Sequence, residues 1–266
     1  MNRERCSATV ITCNEARNLR DCLATLAWAD EIVVVDSGST DGTLEIAREH
    51  TDRVFVHPWP GHLEQKNYAV DRAAHPWVFS LDADERVPPA LADRILEVLA
   101  APAADGYTFP RRNYFLGAWL RHGGWYPDRV LRLFRKDRGR FGGVNPHDRV
   151  ILASGRAAGI EVPIEHFTYV SLGQYVAKQS LYADIAARGR VESGRASRVG
   201  AWRLGAKPAG KFLETYVWKR GFLDGVPGFV AAMGAAFAAY LREARVWELQ
   251  RTSSMRDEPA ARPPAA

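Results

Sequence analysis

The feature that most constrains the fold is an apolar run that ends in two closely spaced carboxylates. Trp77–Leu81 reads Trp-Val-Phe-Ser-Leu, and Asp82-Ala83-Asp84 follows it directly. An apolar run without alternation predicts a strand that is buried on both faces, and hence a parallel sheet between helices. Carboxylates at the end of such a strand suit a hard divalent cation that also contacts phosphates. The alternative is that Asp84 and Glu85 only favour the start of the next helix.

Two earlier segments have the same character. Ala8–Ile11 leads into Thr12-Cys13-Asn14-Glu15, and Glu31–Val35 leads into Asp36–Gly42. A helical pattern follows each of them. Ligands of parallel sheets bind beyond the carboxyl ends of the strands. The sequence therefore predicts three strands that present polar residues at one edge, where a nucleotide would lie.

Periodicity and turn residues predict the other elements. Strands are expected near 8–12, 31–36, 53–57, 77–82 and 106–111, alternating with helices up to about residue 100, and further strands near 130–135 and 162–167. The rest of 112–150 is expected to be irregular. Helices are expected at 171–190, 209–220 and 228–249, with a mobile loop at 191–208 and a disordered tail at 252–266.

The three motifs, in this order and each after a predicted strand, resemble family 2 of the glycosyltransferases. They are Thr12-x-Asn14-Glu15, Asp36–Thr43 and Asp82–Glu85, and the resemblance covers roughly residues 7 to 170. It implies an α/β fold, a GT-A (Rossmann-like) domain with a mostly parallel sheet at 1–170, followed by a helical, basic extension at 171–251. It also implies a metal-dependent, inverting hexosyltransferase with a nucleotide-sugar donor.

Later segments resemble one branch of that family, which adds glucose to the heptose of the lipopolysaccharide inner core. They are Gly123–Asp128, Leu131–Arg135, Glu165–Tyr169 and Lys219–Gly225. This likeness implies UDP-glucose as the donor and a lipid-linked saccharide as the acceptor. The alternative acceptor is another cell-surface polysaccharide or lipid carrier.

The resemblance also implies site residues. Asp84 would be the first ligand of Mg²⁺ or Mn²⁺, and His166 fits the place of a later His that completes the metal site. The residues expected to contact the nucleotide-sugar are Thr12, Asn14, Glu15, Asp36, Ser39, Lys66 and Asp82. Asp36 could accept a hydrogen bond from the uracil N3–H, or it could instead cap the following helix. Lys66 could balance the diphosphate charge or be an ordinary surface lysine.

The attacking acceptor hydroxyl needs a general base. Family members often carry a Glu-Asp pair some forty residues past the metal motif, with an Arg several residues on. Here the matching place reads Pro127-Asp128, followed by Arg132, so the Glu is missing. Asp148 is the alternative base. Either Asp could instead form only an ion pair with a nearby arginine.

Charge and cysteine content indicate where the protein works. Residues 1–170 hold 21 Lys/Arg against 23 Asp/Glu, a net charge of −2, whereas residues 171–251 hold 13 against 6, a net charge of +7. The latter segment includes the uncharged run 226–241. Together they predict binding to an anionic membrane surface, with a helix that packs on the catalytic domain as the alternative. Cys6, Cys13 and Cys22 show neither zinc nor disulfide spacing, which favours a cytoplasmic protein.

Other function classes fit less well. A sugar-activating nucleotidyltransferase would want a Gly-rich, basic phosphate loop near the N-terminus, where Thr12–Glu15 is acidic. A non-catalytic carbohydrate- or membrane-binding module would not account for the carboxylates at the ends of the predicted strands. No nucleic-acid-binding motif accompanies the positive charge. We therefore predict an enzyme at the inner face of the cytoplasmic membrane.

Overall fold

The computed structural model describes residues 3–144, 147–194, 196–197 and 199–257. The chain divides into two compact units. The first contains the chain up to Tyr114 together with Tyr126–Thr168, and the second contains Phe115–Trp125 together with the chain from Tyr169 onward. The division after Thr168 lies close to the boundary expected at residue 170.

The strands are β1 (Cys6–Thr12), β2 (Glu31–Asp36), β3 (Val54–Val56), β4 (Trp77–Asp82), β5 (Glu85–Arg86), β6 (Gly106–Phe115), β7 (Ala118–Trp119), β8 (Asp128–Arg135), β9 (Gly139–Val144), β10 (His147–Leu152), β11 (Ala157–Gly159) and β12 (Ile164–Tyr169). The α-helices are α1 (Ala16–Ala24), α2 (Thr43–His50), α3 (His62–Arg72), α4 (Pro89–Ala100), α5 (Leu172–Glu192), α6 (Ala201–Phe212) and α7 (Gly225–Asp257). A π-helix (Leu213–Trp218) and a 3₁₀-helix (Gly221–Asp224) join α6 to α7.

One mixed sheet forms the frame of the first unit, with the strand order β3-β2-β1-β4-β8-β6-β12-β5. The neighbours β3, β2, β1 and β4 are parallel, whereas the pairs β4–β8, β8–β6 and β12–β5 are antiparallel. The expectation of a mostly parallel sheet is thus correct only for its first half. Parallel neighbours need a long crossover, which helices such as α1 and α2 supply between the first strands, and the short β11 also pairs with β6 in parallel.

The core of this unit lies between the parallel strands and the helices that connect them. Val10, Phe79 and Leu81 are fully buried, as the apolar runs predict. Leu19 and Leu23 of α1, like Leu91 and Ile95 of α4, are spaced by one helical turn and belong to the same apolar cluster. Burial on both faces holds the carboxyl ends of the strands in fixed positions.

The expectation of an irregular segment at 112–150 is wrong. Strand β6 extends to Phe115, β8 begins at Asp128, and β9 and β10 form an antiparallel pair. Strand β8 corresponds to the strand expected near 130–135, and it carries a buried charge, because Arg132 lies beside carboxylates. Asn145 and Pro146, between β9 and β10, lie outside the described residues.

Helices α5, α6 and α7 make up most of the second unit. The mobile loop expected at 191–208 is wrong from Ala201 onward, where α6 begins. Leu204 packs near the buried Val246, and Arg203 pairs with Glu243, so packing outweighs the local Gly content. The predicted tail begins inside α7, which continues to Asp257, and residues 258–266 lie outside the described part.

Candidate active site

The polar ends of β1, β2 and β4 meet at one edge of the sheet. The Cα register places Thr12 opposite Asp36 and Ile11 opposite Asp82. The Thr12 hydroxyl is buried there and forms no hydrogen bond with the described part of the chain. An unsatisfied buried hydroxyl is costly, so it is available to a ligand.

The loops after β1 and β2 are tied together by Asn14. Its backbone N–H donates to Ser39 Oγ at 2.8 Å, and its Oδ1 accepts from the Thr40 N–H at 2.8 Å. Asn14 has a φ of 54°, in the left-handed region that Asn tolerates better than most residues. The next residue, Glu15, donates its N–H to Thr43 Oγ1 at 2.9 Å. Three of the predicted nucleotide-contacting residues thus belong to one connected pair of loops.

Asp36 organises the turn that follows β2. Its side chain is fully buried, and Oδ2 accepts from the N–H groups of Gly38 and Ser39, each at 2.8 Å. Ser39 Oγ donates to Oδ1. Asp36 thus stabilises the turn before α2, which is similar to the capping role that was expected as the alternative. The contact between Asp36 and uracil stays a prediction.

Asp84 and His166 come together as the metal prediction requires. Nε2 of His166 lies 3.4 Å from Asp84 Oδ2, and Nδ1 lies 2.7 Å from Asn113 Oδ1. Strand β12 fixes this pairing, because His166 is in register with Glu85 and the Phe167 N–H donates to the Asp84 carbonyl at 2.9 Å. An amide oxygen can only accept, so Nδ1 donates to Asn113, and Nε2 is the ring nitrogen that faces Asp84.

Asp82, by contrast, is held by two cations. Lys66 Nζ lies 3.1 Å from Asp82 Oδ1, and Arg132 bonds the other oxygen. Burial alone would raise the pKa of Asp82, but Arg132 and Lys66 outweigh burial and hold the pKa well below its usual range. Lys66 is on the buried side of α3, and not on the helix surface as the alternative supposed.

Glu85 is the centre of the charged network. Its side chain is fully buried, with Oε1 2.7 Å from Arg132 and 3.3 Å from Arg111, and Oε2 accepts from the Asp82 N–H at 3.0 Å. Burial would lower the pKa of Arg132, but Asp82 and Glu85 outweigh it and raise that pKa. Glu85 therefore fixes two arginines and the backbone of the metal motif at once.

The two candidate bases stand at opposite ends of this network. Asp128, 36% exposed, accepts from Arg111 Nε at 2.9 Å. Asp148, only 5% exposed, lies 3.0 Å from Lys66 Nζ. Asp128 forms the ion pair with an arginine that was expected as the alternative to catalysis, whereas Asp148 pairs with Lys66, which joins it to Asp82.

The network has a surplus of negative charge. It contains the five carboxylates of Asp82, Asp84, Glu85, Asp128 and Asp148 against the three cations of Lys66, Arg111 and Arg132. In the described pairs, carboxylates therefore outnumber cations. Within the described residues, however, no three His, Cys, Asp or Glu side chains are placed to hold a metal together. Asp84 and His166 would therefore leave most coordination positions to phosphate oxygens and water.

Sequence reasoning missed Asn113, Arg111 and the central role of Glu85. Asn113 and Arg111 both lie in β6, where Arg111 ends the strand predicted at 106–111 and Asn113 falls beyond it, in a segment expected to be irregular. Glu85 had one signal, its place beside Asp84. Nothing in the sequence indicates that Arg111 and Arg132 both contact Glu85, because these three residues come from different strands.

Comparison with known proteins decides the family. Residues 7–156 match the model of glycosyl transferase family 2. The chain belongs to that family. This glycosyltransferase is 32% identical, over 91% of its length and 92% of the relative's, to the lipopolysaccharide core biosynthesis glycosyltransferase LpsC of Rhizobium meliloti. It is 29% identical, over 92% of its length and 90% of the relative's, to an uncharacterized glycosyltransferase of Rickettsia felis.

The glycosyltransferase is also similar to solved structures. One is the mannosyltransferase PcManGT of Pyrobaculum calidifontis in complex with GDP-Man and Mn²⁺, with a TM-score of 0.49 and 19% identity over 96% of this chain and 81% of that one. This likeness is too distant to support an inference about function. The family match and the sheet together confirm the GT-A-like α/β fold with a helical C-terminal region. They also contradict the nucleotidyltransferase alternative.

Proposed function

We propose that this family 2 glycosyltransferase transfers glucose from UDP-glucose, with inversion, to a heptose of the lipopolysaccharide inner core. A glycosyltransferase of this family takes a nucleotide-sugar donor and a saccharide acceptor. The likeness to LpsC over nearly the whole chain supports the acceptor class, and the branch motifs of the sequence support glucose. The runner-up is the same transfer to another cell-surface polysaccharide or lipid carrier.

The observation that carries the proposal is the pairing of Asp84 with His166. A carboxylate oxygen and an imidazole nitrogen, both common metal ligands, face each other at 3.4 Å, as the side chains of a shared cation would. A metal-bound histidine commonly donates its other ring N–H to a fixed acceptor, as His166 does to Asn113. These residues fit Mg²⁺ or Mn²⁺. When bound, the ion would neutralise the charge that develops on the departing nucleoside diphosphate.

Residues around this pair would bind and orient the donor. Thr12, Asn14 and Glu15 belong to the loops beyond β1 and β2, where a nucleotide would lie. Lys66 and Arg132 hold Asp82, so they place positive charge beside the metal motif and could attract the diphosphate. Arg132 cannot lose its proton, so its charge persists through the reaction.

Asp128 is the better candidate for the general base. A base must reach the acceptor hydroxyl, and the Asp128 side chain is 36% exposed whereas that of Asp148 is 5% exposed. The pairing of Asp128 with Arg111 orients its carboxylate through two guanidinium nitrogens. Asp128 would take the proton as the acceptor oxygen attacks the anomeric carbon from the face opposite the leaving group, which gives inversion.

A lipid-linked acceptor requires the enzyme to work at a bilayer. We therefore place it as a peripheral protein on the inner face of the cytoplasmic membrane. The basic balance of residues 171–251 supports this location, because each basic residue near an anionic surface contributes about 1 kcal/mol of binding.

The test is a donor screen with deep-rough lipopolysaccharide as the acceptor. UDP- and GDP-sugars are compared by nucleoside diphosphate release and by the mass of the product, with Asp84→Asn as the inactive control. We expect a hexose added from UDP-glucose only. Transfer to a different lipid-linked saccharide, with none to lipopolysaccharide, would establish the runner-up, and release without any product would refute both.

A further inference from the structure

The exposed side of the first half of α7 is apolar. Every exposed position between residues 226 and 240 carries a large apolar or aromatic side chain, with exposed fractions from 41% to 76%. These residues, here called the apolar face, are Val226, Phe229, Met233, Phe237 and Tyr240. Their spacing of three or four residues places them along one side of the helix. A helix in contact with water normally carries polar residues on this side.

The buried side of the same stretch consists of small residues. Ala231, Ala232 and Ala236 are nearly inaccessible, and α7 packs with this side against α5 and α6. Soluble helices commonly bury large side chains and expose polar ones. Here small residues make the contacts between helices and large apolar residues point outward, an arrangement typical of helices that contact lipid.

The length of the run argues against a helix that crosses the bilayer. One helical stretch of the described chain, Gly221–Thr252, is long and apolar enough to span a membrane by length and composition alone. It comprises the 3₁₀-helix and most of α7. The uncharged run 226–241 covers about 24 Å at 1.5 Å per residue, shorter than the hydrocarbon core of roughly 30 Å. Two residues beyond its end, the buried Glu243 pairs with Arg190 and Arg203, at 3.0 Å each. An ion cluster inside a helical unit fits an interfacial position better than a span.

The turn before α7 adds to the apolar face. Trp218 is 84% exposed, and Leu213 and Val217 of the same π-helix are about half exposed. Ring contacts of Tyr216 with Phe222 and Phe229 attach this turn to the start of α7. Tryptophan is enriched at the boundary between headgroups and acyl chains.

Positive charge flanks the apolar face at both ends. Arg220 precedes it and Arg242 follows it, whereas no acidic residue lies between 225 and 242. An apolar surface with cations at its ends complements a bilayer whose headgroups are anionic. A water-soluble protein partner would not need this charge pattern.

We propose that the apolar face and Trp218 insert into the boundary between headgroups and acyl chains of an anionic bilayer, with α7 parallel to the membrane plane. Insertion of such helices reaches about 5–10 Å. This assigns a surface to the membrane location of the proposed function and rests on it. The apolar side chains supply most of the affinity, and Arg220 and Arg242 supply the preference for anionic lipid.

The test is co-sedimentation of the full-length protein with vesicles of phosphatidylcholine, with or without phosphatidylglycerol. The variant Phe229→Gln/Met233→Gln/Phe237→Gln removes apolar surface without changing the net charge, and its three positions are 41% to 49% exposed. The control Val56→Gln/Ile151→Gln changes two equally exposed apolar residues of the other unit. We expect the variant to bind anionic vesicles at least tenfold more weakly and the control to bind like wild type.

Two further measurements keep the outcome clear. UDP binding reports whether the catalytic unit is intact, so a failure of the membrane proposal is distinguishable from a failure of the proposed function. A milder variant, Val226→Gln/Met233→Gln, replaces the first if that one does not fold. Equal sedimentation of variant and wild type would overturn the proposal. So would light scattering that shows a wild-type dimer and a monomeric variant, because the apolar face would then join two copies of the chain.

Discussion

Nε2 of His166 faces Oδ2 of Asp84 at 3.4 Å, and the other ring nitrogen, Nδ1, lies 2.7 Å from Asn113 Oδ1. If this pair binds the metal, Asp84→Asn and His166→Ala should each abolish the enhancement of UDP affinity by Mn²⁺. Calorimetric titration with Mn²⁺ and with EDTA checks this. The control Asp137→Asn, at an exposed carboxylate, should behave like wild type. UDP affinity that is independent of metal in wild type would remove Asp84 from a metal site.

Asn113 should act through His166. Its Oδ1 lies 2.7 Å from Nδ1 of His166 and orients the ring. The loss of such an orienting partner typically lowers metal affinity about 10–100-fold. We expect Asn113→Leu to raise the Mn²⁺ concentration needed for half-maximal UDP binding by that factor, while binding at saturating Mn²⁺ is retained. A structural defect alone would lower UDP binding at every metal concentration, and that result would contradict this role.

The assignment of the base rests on Asp128 and Asp148. Asp128→Asn keeps the shape of the side chain but cannot take a proton, so turnover should fall about 10²–10⁴-fold while UDP binding is preserved. Asp148→Asn should reduce turnover less, because its carboxylate is nearly buried beside Lys66. Transfer assays at saturating donor measure both. Near-normal turnover of Asp128→Asn with an inactive Asp148→Asn would reverse the assignment.

The buried Glu85 should contribute more to the free energy of unfolding than an exposed carboxylate does. Glu85→Gln leaves Arg111 and Arg132 without their buried partner, and breaking a buried pair costs about 3–5 kcal/mol. The matched control is Glu97→Gln, which breaks the exposed pair of Arg94 and Glu97 and should cost at most about 1 kcal/mol. Urea unfolding gives both values. Equal losses in the two variants would show that the buried network adds no stability.

Asp82 should make stability depend on acid pH. Its pKa in the folded protein lies well below the ordinary value of 3.8, so its ion pairs contribute fully above that value and are lost as pH falls toward the folded-state pKa. We expect the difference in free energy of unfolding between wild type and Asp82→Asn to be constant from about pH 7 to pH 5 and to shrink near pH 3. Urea unfolding across this range checks the sign. A difference that grows toward acid would contradict the depressed pKa.

The sequence by itself determined the parallel half of the sheet and the family. The apolar runs that became β1, β2 and β4 are buried on both faces, so local composition was enough to predict them and the edge where Asp36 and Asp82 end. The order of the motifs after those strands pointed to family 2, and the family model confirmed it. These features are local in the chain, or depend only on order along it.

Only the tertiary structure decided which charges meet. Lys66, Arg132 and Asp148 come from α3, β8 and β10, and Asn113 from β6, so no spacing in the sequence could place them beside Asp82 or His166. The tertiary structure also decided which side of α7 is buried, because this helix is apolar on all sides between residues 226 and 241. Periodicity cannot tell the buried side of such a helix from the exposed one. The packing of the neighbouring helices decides which side is buried, because the alanines of α7 allow these helices to approach closely.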